Sequence, residues 1–346
     1  MPSQNSVEFV IYSFTQGLLA VLLLLAGTAP RAYAQSAVVP AAGATAPAPA
    51  ASQEDWSSPY LVENALQPVP PLLGEKDDLG DFTRELLQVR WRTGDPIELY
   101  VVRPKGVDMP PVVLYLYGHP AETTRFQDDE FCRLLVKGGY AAIGFVPALS
   151  GQRYHDRPMR EWYVSELQEA LGASAHDVQM ILNYLRARAD FDMTRVGMFG
   201  QGSGASIAIL AAAADPRIKV LDLMDPWGDW PHWMAESTRI PDEERPPLVK
   251  SEFLNQIAAL DPVVWLPKLK TPAVRVQILN FDTITPKASK EAIAKALPAT
   301  ATLTRYENAN QVHDALMMGK EFDWLKAKMP PAERKTAATG DAHTTP

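Results

Sequence analysis

A run of small residues joins an apolar strand to an apolar helix in the segment "RVGMFGQGSGASIAIL", residues 195–210. A sharp strand-to-helix turn of the pattern G-x-S-x-G presents a serine hydroxyl at its apex as a nucleophile. In this chain Gly200, Gly202 and Gly204 are spaced two apart, so glycine takes the central place, and Ser203 comes one residue later. The segment therefore predicts the turn and raises the question of which residue stands at its apex.

A steric argument favours Gly202 as the apex. Residues two before and two after the apex must be small, because side chains there would strike the strand and the helix. For Gly202 those neighbours are Gly200 and Gly204, whereas for Ser203 one of them would be the bulky Gln201. Glycine also adopts the unfavourable backbone of such an apex at little cost. We predict a turn that has kept its shape and lost its hydroxyl.

Three functional interpretations of this turn remain open. The pocket could bind without acyl transfer, Ser203 could act as nucleophile through a remodelled turn, or a water in the space at Gly202 could be activated by a nearby base. The serine-free route forgoes the covalent intermediate that divides hydrolysis into two easier steps. Ser203 also has a structural interpretation, as a small residue whose hydroxyl caps the start of a helix.

The surrounding elements place this turn inside an α/β fold. Residues 85–93 and 97–104 alternate and flank the turn signal "GDP", which predicts an antiparallel pair. Further apolar strands are predicted at 110–118, 140–146, 195–200, 218–225, 273–280 and 301–307. They alternate with helices, of which 158–189 could break near Gly172 and 313–328 is the last. This alternation predicts a mostly parallel central sheet with helices on both faces and functional loops at the carboxyl ends of its strands.

Residues 226–270 interrupt the alternation. They are rich in tryptophan and proline, including Trp227, Trp230 and Trp233, and they lie between two predicted strands. We interpret them as a small lid-like insertion over the carboxyl edge of the sheet. The tryptophans could line an apolar pocket, but the interpretation we favour is that they form the core of the insertion.

The order of elements and four local motifs resemble the α/β-hydrolase superfamily, in particular the branch of dienelactone hydrolases, acetyl-xylan esterases and prolyl-oligopeptidase-like proteins. The motifs are "YLYGHPAE", "HDVQMILNYLRARADFDMTRVGMFGQGSGA", "LNFDTITP" and "ENANQVHDAL". They appear in the order nucleophile, acid, histidine that this superfamily uses. The resemblance covers roughly residues 85–328 and implies an α/β-hydrolase fold acting on esters or amides.

The resemblance also implies roles for individual residues. Asp282 would be the acid and His313 the general base, with Ser203 as the serine nearest the nucleophile position. Asp225, at the end of the preceding strand, is an alternative acid. Purely structural interpretations are open for both main candidates, since Asp282 could serve a turn and His313 could simply begin a helix.

An oxyanion hole would require two backbone N–H donors. The residue after the apex, Ser203, supplies one of them. The loop after "YLYG" supplies the other, and because Pro120 has no N–H the candidate is His119. A hydrogen bond from the histidine ring to backbone would be the structural alternative for His119.

A rival interpretation comes from another class of protein. Residues 200–205 also satisfy G-x-G-x-x-A after a strand and before a helix, and Asp222 and Asp225 follow about 20 residues later, where a ribose-binding acid would stand. This pattern would make the chain a dinucleotide-binding oxidoreductase. Such a fingerprint normally opens its domain at the first strand, whereas several strands precede it here.

The ends of the chain are compositionally distinct from the rest. Residues 1–34 hold a short apolar run followed by an A-x-A pattern, which predicts a cleaved signal peptide and a secreted or periplasmic protein. The alternative is an uncleaved anchor that uses the apolar stretch of residues 7–14 as extra length. Residues 35–54 predict an Ala/Pro-rich linker, 55–328 the hydrolase domain and 329–346 a flexible tail. The apolar run is too short to span a membrane comfortably, so we expect no integral membrane association after cleavage.

Composition and residue spacing limit the classes of molecule that the protein is expected to bind. The net charge of −8 argues against nucleic acid, and the single cysteine, Cys132, excludes internal disulfides and is expected to be a buried small hydrophobe. His155, His176 and His232 lack metal-ligand spacing, so we predict no metal and no cofactor, and we expect the pair His176–Asp177 to be solvated. The expected partner is a small or oligomeric ester or amide.

Overall fold

The computed structural model describes residues 54–62, 66, 69–118, 123–153, 162–317, 320 and 322–330. The predicted signal peptide, nearly all of the linker, His119 and most of the tail lie outside these residues. Within them, no helix is both long enough and apolar enough to cross a membrane.

A nine-stranded sheet crosses the described part of the chain. Its strands are β1 (Val69–Asp78), β2 (Phe82–Arg92), β3 (Asp95–Pro104), β4 (Pro111–Leu116), β5 (Ala141–Phe145), β6 (Asp192–Gln201), β7 (Ile218–Met224), β8 (Ala273–Leu279) and β9 (Thr302–Tyr306). The spatial order is β1-β2-β3-β5-β4-β6-β7-β8-β9. The first four strands in this order pair antiparallel, and all other neighbours pair parallel. This confirms the predicted antiparallel start and mostly parallel sheet, and β1 was not predicted.

Helices connect the strands in the described residues. They are α1 (Asp129–Val136), α2 (Trp162–Ser165), α3 (Leu167–Arg188), α4 (Ser203–Ala214), α5 (Trp230–Glu236), α6 (Arg245–Leu248), α7 (Ser251–Ile257), α8 (Pro262–Trp265), α9 (Lys287–Ala296), α10 (Ala309–Met317) and α11 (Asp323–Lys328). Single 3₁₀ turns lie at Thr124–Gln127, Gly151–Arg153, Ala258–Leu260 and Leu266–Lys268.

The two faces of the sheet carry separate hydrophobic cores. Successive residues of β4 alternate between them, with Leu114 in the core beneath α3 and α4 and Tyr115 in the core beneath α1 and α11. This alternation is the expected period of two along a strand. Helices therefore cover both faces, as the sequence predicted.

The long helix α3 is not broken at Gly172. A Cβ atom at this position would lie 2.2 Å from the backbone oxygen of Trp56, so the glycine allows the N-terminal segment to approach the helix closely. The prediction of one helix over residues 313–328 is also wrong. The chain forms α10, which begins at Ala309, and a separate α11.

Residues 226–270 fold into short helices that contact α3, α4 and α9. Trp227, Trp230 and Trp233 are all buried in the core on this face of the sheet. Asp261 organises the segment, because its carboxylate accepts hydrogen bonds from the backbone N–H groups of Asp229 (2.9 Å) and Trp230 (2.9 Å). The tryptophans therefore form core, which is the interpretation favoured from the sequence.

Candidate active site

The turn between β6 and α4 has its unusual backbone at Gly202. Its φ of 56° and ψ of −122° lie outside the regions that L-residues prefer. The N–H of Gly202 donates to the carbonyl of Met224 on the neighbouring strand (2.9 Å), and its own carbonyl accepts from the N–H of Ala205 (3.1 Å). The chain therefore reverses direction at Gly202, at the carboxyl edge of the sheet.

Gly200 and Gly204, two residues before and two residues after Gly202, stand at positions where the turn has no room for a side chain. A Cβ atom on Gly200 would lie 2.6 Å from Cα of Ala205, and one on Gly204 would lie 2.3 Å from the carbonyl oxygen of Leu116. Both contacts are with backbone that cannot move aside. The contacts at these two positions are those that the steric argument requires when the apex is at Gly202.

Trp227 occupies the space in front of the turn. Its indole nitrogen lies 3.3 Å from the point where a Cβ on Gly202 would stand. The ring packs against Trp233, with centroids 4.7 Å apart, and against the edge of Tyr163 at 6.3 Å. The backbone carbonyl of Trp227 accepts a hydrogen bond from Oγ of Ser206 (2.7 Å), which ties this residue to α4. The indole nitrogen of Trp227 therefore faces the apex at close distance.

Ser203 is the first residue of α4 and is 2 % exposed. The helix is preceded by Gly202 as its N-cap, so Ser203 lies one position inside the helix rather than at the cap. The interpretation of Ser203 as the helix cap is therefore wrong by one residue, because the N-cap is Gly202.

Asp225 and Asp282 come together at the ends of β7 and β8. Asp225 is 6 % exposed and has a positive φ of 45°, and one of its oxygens accepts from the N–H of Leu279 (3.1 Å). Burial raises the pKa of Asp225 well above its ordinary value, and the negative charge of Asp282 raises it further, while the cation of Lys290 lowers it. The side chains of Asp225 and Asp282 are hydrogen-bonded to each other, which requires one proton shared between the two carboxyl groups.

Asp282 is otherwise engaged by its own turn. Its Oδ2 atom accepts from the backbone N–H groups of Ile284 (3.1 Å) and Thr285 (3.3 Å). Lys290, which is 4 % exposed, donates to the carbonyls of Leu279 (2.5 Å) and Asp282 (2.5 Å). These contacts are those of the turn role that the sequence left open for Asp282.

The structure does not join His313 to this carboxyl pair. His313 lies in α10 and is exposed. Among the described residues, no hydrogen bond connects its ring to Asp282 or Asp225. The acid and the nucleophile-turn apex predicted from the sequence thus lie at one edge of the sheet, whereas the predicted base points to solvent, and His119 lies outside the described residues.

A polar cleft of about 560 Å³ opens beside Asp282. It lies between the 226–270 segment and α9. Its walls are Glu236, Thr238, Asn280, Asp282, Thr283, Pro286, Lys287, Lys290, Glu291 and Arg305. The described residues contain no group of three or more His, Cys, Asp or Glu side chains placed to hold a metal ion.

The ribose-binding acid of the rival interpretation is engaged elsewhere. Asp222 is fully buried in β7, where its carboxylate accepts two hydrogen bonds from Arg275 (2.8 and 2.5 Å) and one from Gln277 (3.0 Å). The glycine turn also follows β6, in the middle of the sheet, rather than the first strand. Asp222 is therefore not available to a ribose hydroxyl.

The expectation that His176 and Asp177 are solvated was wrong. Both are buried in α3, at 1 % and 0 % exposure. Asp177 accepts from Trp91 Nε1 (2.9 Å) and Arg153 Nη1 (2.7 Å). The sequence held no local signal for this cluster, because its members come from four separate segments. Cys132 is buried as expected, and burial raises the pKa of its thiol to about 11.

Comparison with family models finds no match, and comparison with curated proteins finds none either. Comparison with solved structures finds the acetyl xylan esterase from Paenibacillus sp. R4, at 17% identity and TM-score 0.57, covering 73% of this chain and 88% of that one. The chain has the α/β-hydrolase fold. Acetyl xylan esterase 1 from Thermoanaerobacterium sp. JW/SL YS485 is similar at 15% identity and TM-score 0.58, with the same coverage. The acylaminoacyl peptidase of Pyrococcus horikoshii is similar at 15% identity and TM-score 0.53, covering 79% of this chain and 43% of that one.

Proposed function

We propose that this α/β-hydrolase-fold chain binds an ester or amide ligand without acyl transfer. The observation that carries the proposal is the residue at the apex of the turn. Gly202 has the strained backbone that this position requires but no atom that could attack a carbonyl carbon. Without a nucleophile at the apex no acyl-enzyme can form there, and the proposal includes that Ser203, buried at the first position of the helix, does not replace it.

The surroundings of Gly202 support the same conclusion. Trp227 Nε1 lies 3.3 Å from the Cβ position of Gly202, so the group nearest the apex is an indole N–H, which only donates and cannot deprotonate a water. This argues against the serine-free hydrolysis that the sequence left open. The exposed ring of His313 and the use of Asp282 by Asp225 and by its own turn argue against an intact acid–histidine relay.

The proposed class of ligand is taken from the proteins that share the fold. The similar structures are named as esterases and a peptidase, so we take carboxylic esters and amides as the ligand class. Ligands of open α/β sheets bind at the carboxyl ends of the strands. We place the ligand there, against Trp227 and the carboxyl edge of β6 and β7, and we propose that the signal peptide of residues 1–34 delivers the protein to the periplasm or outside the cell.

Two measurements on the full-length chain test this proposal. Steady-state hydrolysis of p-nitrophenyl acetate and p-nitrophenyl butyrate is expected to match the buffer rate. Saturation-transfer NMR with p-nitrophenyl butyrate is expected to show binding that Trp227→Phe weakens and Trp265→Phe leaves unchanged, because Trp265 packs against Tyr60 instead (centroids 5.8 Å apart). Turnover above the buffer rate would contradict the loss of acyl transfer. Absence of any saturable binding would contradict the binding role.

A further inference from the structure

A short N-terminal segment, residues 54–61, lies along helix α3. The amide of Gln179 donates to the carbonyl of Pro59 (2.8 Å), and its oxygen accepts from the N–H of Leu61 (3.1 Å). The backbone of Trp56 approaches Gly172 so closely that no side chain would fit there. This segment, which we call the clasp, begins at the last residue of the predicted linker.

The centre of the clasp is a buried histidine whose two ring nitrogens both face acceptors. Nε2 of His176 lies 2.9 Å from the backbone carbonyl of Ser58, and Nδ1 lies 2.6 Å from Oε1 of Glu54. A carbonyl oxygen only accepts, so Nε2 must carry a proton. An ionised carboxylate also only accepts, so Nδ1 must carry one as well. Both hydrogen bonds therefore exist together only in the imidazolium form.

Glu54 is held in the ionised form. Arg92 donates to both of its oxygens, from Nε (2.7 Å) and Nη2 (2.7 Å). Burial by itself raises the pKa of Glu54, but the hydrogen bonds from Arg92 and His176 outweigh it and lower the pKa below the ordinary value. A proton supplied by the carboxyl group is thus not an alternative to one on the ring.

The charges around His176 balance only when it is protonated. Arg153 binds Asp95 (2.8 and 2.5 Å) and Asp177 (2.7 Å), and Arg92 bridges Asp177 to Glu54. The buried cluster consists of three anions and three cations, which are Glu54, Asp95, Asp177, Arg92, Arg153 and His176. Asp55, at the exposed surface of the clasp, is the further negative charge near the ring. Loss of the ring proton leaves a buried excess of negative charge and one acceptor without its donor, which is costly away from water.

We propose that protonated His176 fastens the clasp onto α3 and that loss of its proton releases residues 54–61 from the domain. One proton is bound in the closed form and absent in the open form. The closed form requires the doubly protonated ring because both of its partners are acceptors, whereas the open form does not. In consequence pH controls whether residues 54–61 are packed against α3.

The proton on each ring nitrogen can be observed directly. In ¹⁵N-histidine NMR of the full-length chain at pH 6, the His176 signals, assigned by their loss in His176→Gln, are expected to show protons on both nitrogens. A single protonated nitrogen at this pH would overturn the proposal.

Release of the clasp is measured by hydrogen exchange of the amides in residues 54–62, expressed as protection factors. In the wild type, protection is expected to fall as pH rises from 6 to 9. In Glu54→Gln it is expected to be lower at pH 6 and nearly independent of pH, since the ring proton no longer has an ionised partner. The matched control is His232→Gln, because His232 forms an exposed pair with Asp229 (2.7 Å) and this variant is expected to match the wild type. Wild-type protection that does not change with pH, or a pH dependence that survives in Glu54→Gln, would overturn the proposal.

Discussion

The indole nitrogen of Trp227 lies 3.3 Å from the position that a Cβ atom on Gly202 would occupy. Glycine at the apex carries no nucleophilic atom, and a Cβ placed there would be in tight contact with the indole nitrogen. We expect that a serine placed at the apex does not restore the site, because a side chain there is strained and the exposed ring of His313 makes no hydrogen bond to Asp282 or Asp225 among the described residues.

We therefore expect Gly202→Ser to remain inactive as an esterase. With p-nitrophenyl acetate its rate is expected to stay within about twofold of wild type, because a hydroxyl without an adjacent base is a weak nucleophile. The substitution is also expected to reduce the free energy of unfolding by about 1–3 kcal/mol, because a side chain is strained at a φ of 56°. A large rise in rate that disappears when His313→Ala is added would contradict this expectation.

The tight contacts around the turn predict a strong effect of a single methyl group. Gly204→Ala places a Cβ 2.3 Å from the carbonyl oxygen of Leu116 and is expected to cost about 3 kcal/mol in urea unfolding. Gly80→Ala is the matched control, since nothing lies within 4 Å of its Cβ position and its φ lies outside the left-handed region. Equal stability of the two variants would show that the turn is not packed as described.

Asp225→Asn is expected to stabilise the chain at neutral pH. The raised pKa of Asp225 means that the folded chain keeps a proton at pH values above the ordinary 3.8, where the unfolded chain has lost it. The contribution to stability is therefore complete below that value and is lost as pH rises through the raised folded pKa. An asparagine is neutral without taking up a proton, can donate an N–H to Asp282 and tolerates the positive φ of 45°, so we expect a gain of about 1 kcal/mol, or about 2 °C in Tm.

The control for this variant is Asp229→Asn. Asp229 shares the left-handed backbone, with a φ of 58°, but it pairs with His232 instead of another carboxyl group. It is expected to show no gain and no change in the dependence of Tm on pH between 4 and 8. If Asp225→Asn retained the wild-type pH dependence, the proton-sharing pair would be absent.

The engagement of Asp222 by Arg275 predicts that the chain does not bind dinucleotides. A titration of the full-length chain with NADH, followed by nicotinamide fluorescence, is expected to show no saturation up to millimolar ligand. Saturable micromolar binding would restore the oxidoreductase interpretation of residues 200–205.

The sheet was predictable from the sequence because buried parallel strands are continuous apolar runs separated by helices. Strand β1 was missed because its sequence "VPPLLGEKDD" begins with prolines and ends in charges, and all of its residues are at least partly exposed at the edge of the sheet. The continuity of α3 through Gly172 was missed for a different reason. Gly172 is required by a close backbone contact with Trp56, which is more than a hundred residues away in sequence, and no local pattern encodes such a contact.

The candidate site was predictable where local sterics decide it. The spacing of Gly200, Gly202 and Gly204 was enough to predict the turn and its apex. The pairing of Asp225 with Asp282 was not predicted, because it depends on how far the loops after two neighbouring strands approach each other. The buried state of His176 was missed because its partners, Glu54 and Ser58, lie at the far end of the domain sequence.

Covalent labelling with a fluorophosphonate, followed by intact-mass and peptide mass spectrometry of the full-length chain, tests the absence of a nucleophile most directly. We expect no adduct on the wild type under conditions that label an active serine esterase completely. A stoichiometric adduct on Ser203 would contradict this expectation, because it would show that the serine next to Gly202 acts as the nucleophile.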